Sequence, residues 1–203
     1  MNLSLKRGLS FVAFGFLFTL VNLNLKFNGA TVNVIPDFIG WALLFRAYDM
    51  LGHYTEGKQY LKWTFLILLI LSAVTWTYDL FMPNQAAPRL IYSAITLISV
   101  VAMFLFFGVL EKIAADYQSP RQSTLRMLKY INVVLHAAVV ILAMLYAGTI
   151  SEGAASAADV VGTPYQVTLV TMMGVAGVAA LVSAIVTAVV LFKLKGEISD
   201  KLA

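Results

Sequence analysis

Long apolar runs recur along the chain, separated by short segments that hold the charges. The charge-free stretches are bounded by Arg7 and Lys26, Lys62 and Asp79, Arg89 and Glu111, Lys129 and Glu152, and Asp159 and Lys193. A hydrocarbon core of roughly 30 Å takes about 20 helical residues at about 1.5 Å each. These runs therefore predict spanning helices over 8–25, 62–80, 90–110, 130–150 and 166–192. Pro164 disfavours a helical start before Tyr165 and sets the beginning of the last. The first follows Lys6 and Arg7 as a secretory leader would, but Asn28-Gly29-Ala30 is not a small-x-small cleavage site, so it reads as a retained helix.

A sixth helix is predicted over 36–52, although that stretch holds Asp37, Arg46 and Asp49. Pro36 suits a first helical turn, where its missing N–H costs nothing. Asp37 complements the positive end of the helix dipole, and Gly52 is a C-terminal stop. Its 17 residues cover about 25 Å, the short end of the spanning range. Charge decides the matter. With six spans and an internal N-terminus, Lys6, Arg7, Lys58, Lys62, Lys112, Arg121, Arg126, Lys129, Lys193, Lys195 and Lys201 share one side, and only Lys26 and Arg89 lie on the other. Without the sixth crossing this bias collapses, against the positive-inside rule. The expected fold is an all-α, polytopic transmembrane bundle of six helices in one domain, both termini cytoplasmic.

Composition narrows the class. The chain is 61% apolar and 12% charged, against about 45–50% and 25% for soluble domains, and its mean hydropathy is +0.86. A soluble, disordered or nucleic-acid-binding protein is excluded. The net charge of +4 reads as orientation in the bilayer. The chain has no cysteine, so it has neither disulfides nor a thiol nucleophile. HExxH, GxSxG, glycine-rich phosphate loops and histidine clusters are all missing from the sequence, which leaves no expected metal, cofactor or catalytic residue.

Ionisable groups at membrane depth mark functional positions by default. Lys129, Asn132 and His136 share one face of the fifth helix and read either as the lining of a solute, ion or proton path or as interhelical hydrogen bonding. Arg46 and Asp49, three residues apart, read as a mutual ion pair or as counter-charges in that path. Asn22, Asp37 and Asp79 outline an outer polar vestibule, or else serve as caps and turns. Ala176, Ala180, Ala184 and Ala188 form a small-residue stripe on the last helix, which predicts close packing against a neighbour in this chain or a second copy. Phe104, Phe106 and Phe107 read as packing or lipid-facing surface. The 149–166 connection reads as a long loop of small residues.

The stretch from Phe14 to Gly52, with Val34-Ile35-Pro36-Asp37-Phe38-Ile39-Gly40-Trp41 at its centre, resembles uncharacterised small multi-pass membrane proteins of bacteria. Their second helix opens on the same Pro-Asp-Phe-Ile-Gly-aromatic motif. Arg46 departs from the more apolar continuation of that group. The resemblance implies a bacterial cytoplasmic membrane. Two functional expectations follow from the residues: a non-enzymatic transporter or channel-like protein for a small solute or ion, acting as a homodimer, or an accessory protein packed against another membrane protein.

Overall fold

The computed structural model describes residues 2–20, 24–27, 30–33, 36–81, 89–153 and 164–201. Six α-helices follow in order: α1 (Asn2–Leu20), α2 (Asp37–Met50), α3 (Gln59–Phe81), α4 (Arg89–Asp116), α5 (Arg121–Gly153) and α6 (Pro164–Asp200). Segments of α3, α4, α5 and α6 (Gln59–Phe81, Ala94–Asp116, Arg121–Leu142 and Val167–Asp200) are long and apolar enough to cross a membrane. Their outward faces carry large exposed apolar side chains, among them Ile70, Leu97, Ile141 and Val175. Lipid tails cover such a surface without cost. The chain is a helical membrane protein.

Several boundaries differ from expectation: α1 begins at Asn2, α4 runs to Asp116, α5 begins at Arg121 and α6 runs to Asp200, each beyond its uncharged run. α1 ends at Leu20 and not near residue 25, because an antiparallel hairpin follows: β1 (Asn24–Phe27) pairs with β2 (Ala30–Asn33), Asn24 opposite Asn33 and Phe27 opposite Ala30. The two strands flank Asn28-Gly29 in the sequence, the strongest short hairpin signal. α2 has only 14 residues, about 21 Å; Pro36 is its N-cap, and Asp37 opens the helix. The 149–166 connection is shorter than a full loop, since α5 runs on to Gly153 and α6 starts at Pro164 itself.

α2 stops where Gly52 takes a left-handed φ of 59°, a conformation glycine adopts without steric cost. A 3-10 turn, Gly52–Thr55, then leads to α3. Reciprocal hydrogen bonds staple this turn: the Tyr48 hydroxyl donates to the Thr55 carbonyl at 2.9 Å, and the Thr55 hydroxyl to the Tyr48 carbonyl at 3.0 Å.

α1 and α2 cross antiparallel at very short range. A Cβ built on Gly40 would lie 2.7 Å from the Thr19 nitrogen and 2.8 Å from the Gly15 carbonyl oxygen; one on Gly15 would lie 2.8 Å from Leu44 Cγ. Only glycine permits this contact, which holds the start of α2 against the end of α1.

Polar contacts join helix ends at one pole of the bundle. The Ser4 hydroxyl donates to the Met50 carbonyl at 2.9 Å, Lys6 Nζ to Ser199 Oγ at 2.8 Å, and Arg121 Nε to Glu197 Oε1 at 3.1 Å. Ser119 also bonds Glu197, and Lys201 the Tyr117 carbonyl. This pole gathers the N-terminus of α1, the C-terminus of α2, the α4–α5 turn and the C-terminus of α6, and with them the eleven basic residues named above. The buried core sits in the adjoining half of the bundle, built on Leu9, Leu44, Phe65, Phe106, Leu110 and Leu191. Towards the opposite pole α5 and α6 expose most of their apolar side chains, Met144 and Val170 for example. There, Phe38 packs edge-on against Trp76, and the Tyr92 hydroxyl bonds Asp79.

Candidate functional site

Where the packed half gives way to the open half, the helices line a partly open cavity of about 530 Å³, well within the range of small-molecule sites. α1 contributes Phe16 and Thr19, and the start of α2 contributes Asp37 and Trp41. α4 presents Thr96, Ser99, Phe104 and Phe107, and α6 presents Gly177, Ala180 and Leu181. α5 supplies the polar stripe Lys129, Asn132 and His136. The close α1–α2 crossing positions one wall, since Gly40 is flanked by the cavity residues Asp37 and Trp41.

Asn132 is buried and joins two helices. Its Nδ2 donates to the Leu128 carbonyl at 2.9 Å, and its Oδ1 accepts from Ser183 Oγ of α6 at 3.0 Å. His136 Nδ1 lies 2.7 Å from the Asn132 carbonyl. A carbonyl only accepts, so Nδ1 carries the proton, and in the neutral ring Nε2 holds the lone pair. Among the described residues Nε2 has no protein partner.

Lys129 closes the cavity towards the basic pole. Its ammonium stands 4.2 Å from the centroid of the Phe104 ring, a cation–π contact, and 3.7 Å from Glu111 Oε1. Arg126 Nε approaches the other Glu111 oxygen at 3.5 Å. Glu111 Oε1 is buried without a hydrogen-bond partner. Two cations and one carboxylate thus cap the inner end of the cavity.

The other sequence-selected residues separate. Arg46 and Asp49 do not line the cavity, and both are exposed. Asp49 pairs with Lys62 of α3 at 2.7 Å, because the start of α3 folds back beside the end of α2. Lys62 also lies over the Phe45 ring at 5.4 Å. Asp37 lines the cavity, whereas Asp79 bonds Tyr92 at the far pole; Asn22 lies outside the described residues. In the alanine stripe, Ala184 and Ala188 are buried within this chain, and Ala176 and Ala180 are half-buried. Phe106 and Phe107 are fully buried, not lipid-facing. The sequence did not single out Thr96, Gly177 or Trp41 as cavity residues. Their only signal is position, since each takes its place from a neighbouring helix. Among the described residues no group of three or more histidines and carboxylates gathers as a metal site. No protein-family model matches the chain, and no curated protein or solved structure is detectably similar to it.

Proposed function

We propose that this is a polytopic protein of a bacterial cytoplasmic membrane, its basic pole facing the cytoplasm, that binds a small solute in the α4–α5–α6 cavity and carries it across without chemical change. One observation supports this above the rest: a ligand-sized cavity at membrane depth, lined on one side by Lys129, Asn132 and His136 and capped at the basic pole by the Glu111 cluster. A helix bundle that served only as packing surface would gain nothing from a cavity with a polar side there. Side-chain orientation by the Asn132–Ser183 bond keeps the stripe aimed inward. The resemblance of the Pro36–Trp41 motif supports the bacterial setting, and the one-sided basic residues support the orientation.

Uptake into proteoliposomes tests the reading. Vesicles holding the protein, challenged with a panel of labelled organic acids, amines and neutral solutes across a proton gradient, should accumulate at least one class faster than empty vesicles. His136→Ala should abolish that uptake, and Asp49→Asn should leave it unchanged. Uptake equal to that of empty vesicles for every class would refute transport. Because the chain has no cysteine, Lys201→Cys is a clean orientation probe: labelling from outside intact cells would invert the proposed topology.

A further inference from the structure

The polar groups of the cavity differ in what they leave uncommitted. Asn132 uses its amide on Leu128 and its oxygen on Ser183. The Thr96 hydroxyl donates to the Tyr92 carbonyl at 2.8 Å, Ser99 to the Thr96 carbonyl at 2.7 Å, and Thr19 to the Gly15 carbonyl at 3.0 Å. The three hydroxyls retain acceptor capacity only, and the Asn132 amide keeps one neutral N–H. Lys129 is the charged donor of the cavity. Its nearest carboxylate oxygen, at 3.7 Å, is beyond hydrogen-bond reach, and its ammonium donates to none of the described residues. Glu111 is shared between Lys129 and Arg126, so the cluster carries one net positive charge. Above this floor the walls are mostly apolar: Ile95, Phe104, Val133, Val139 and Leu181.

Free N–H donors and a net positive charge beneath apolar walls match one ligand chemistry. Resting on the reading of the cavity as a binding site, we infer that its ligand is an organic monoanion with an apolar body, a medium- or long-chain carboxylate by class. Its charge lies at Lys129 and its body against Ile95, Val133 and Leu181. A carboxylate accepts a charge-assisted hydrogen bond from the ammonium, strongest in a water-poor site. An amine at this floor meets a like charge. A neutral alcohol satisfies fewer of the ammonium donors. Asp37, at the other end of the cavity, has a partner of its own.

The test is calorimetric titration of the full chain in phosphatidylcholine nanodiscs with octanoate, octanol, octylammonium and a zwitterionic ω-amino octanoate. Octanoate should bind at least about tenfold more tightly than the alcohol or the amine, as expected of a charged hydrogen bond. Lys129→Met should erase that preference, and Lys129→Arg should keep it. Gly177→Phe fills the cavity from a position where an added Cβ meets nothing within 4 Å, so it should weaken every ligand without disturbing the fold. Oleate in the bilayer that displaces octanoate would assign the ligand to the membrane; failure to displace it would assign an aqueous solute. Equal binding of acid, alcohol and amine, all lost in Gly177→Phe, would overturn the anion inference and leave the cavity reading standing. Tighter binding of the ω-amino acid would overturn it in favour of a zwitterion. Binding of none, or binding indifferent to Gly177→Phe, would overturn the cavity reading itself.

Discussion

Replacing Gly40 by alanine tests the α1–α2 crossing that sets one wall of the cavity. The new Cβ would lie 2.5 Å from Thr19 Cγ2, 2.7 Å from the Thr19 nitrogen and 2.8 Å from the Gly15 carbonyl oxygen. Two of these three atoms are backbone, so no rotamer change relieves the clash and the helices must separate. Overpacking of this kind costs about 1–3 kcal/mol, and the better helix propensity of alanine returns up to about 1 kcal/mol. The expected net loss is about 1–2 kcal/mol, read by reversible unfolding in mixed micelles. Gly108→Ala is the control: an added Cβ there meets nothing within 4 Å, so the same propensity gain should appear unopposed. Thr19→Ser removes the Cγ2 contact but neither backbone contact, and should rescue Gly40→Ala only in part. Solute binding should weaken as well, because Trp41 and Asp37 move with α2. If Gly40→Ala proved as stable as Gly108→Ala, the two backbones would not approach as described.

Further predictions concern the polar contacts. A double-mutant cycle on Asn132→Ala and Ser183→Ala should give a coupling of about 0.6 kcal/mol, the average for interhelical hydrogen bonds in membranes, and no more than about 1.7 kcal/mol; zero coupling would break the link that orients the stripe. Asp49→Asn and Lys62→Met remove a partly exposed pair, should cost at most about 1 kcal/mol, and should leave ligand affinity unaltered. Tyr54, in the 3-10 turn, has its phenol pushed up to about 12 from the usual 10.0, by burial first and by the neighbouring Tyr117 and Asp116 next. The folded state therefore keeps this proton more tightly than the unfolded chain. Its contribution is fully present below pH 10.0 and is lost as pH rises towards about 12. Tyr54→Phe should flatten that part of the alkaline unfolding curve.

The helices of α3 to α6 were legible because a bilayer demands long uncharged runs, and such runs survive any arrangement of neighbours. The gathering of Lys6, Lys62, Lys112, Arg121 and Lys193 at one pole was legible for a related reason: in an up-and-down chain, charge position along each helix fixes which end it shares. The α1–α2 hairpin was half-legible. Asn28-Gly29 between Phe27 and Ala30 carries the turn signal, but the preceding apolar run carried the first helix over Asn24 and Leu25 and left the rest as a loop. The small residues Gly8, Gly15, Gly40 and Ala47, seven apart in each pair, were equally visible, yet spacing alone names no partner.

Within one helix, periodicity placed Lys129, Asn132 and His136 on a common face, and the cavity receives all three. Between helices it had no purchase. Arg46 and Asp49 share a face of α2, but Asp49 bonds Lys62, because a side chain answers to the nearest opposite charge in space and the fold brings α3 there. Asp37 and Thr96 join His136 around one cavity although they come from three separate helices. The sequence by itself determined the solvent, the helices and the charged pole, since these depend on local hydropathy and one-dimensional order. Only the tertiary structure decided which polar groups meet, which stay uncommitted and where space is left, since these depend on how close the backbones come.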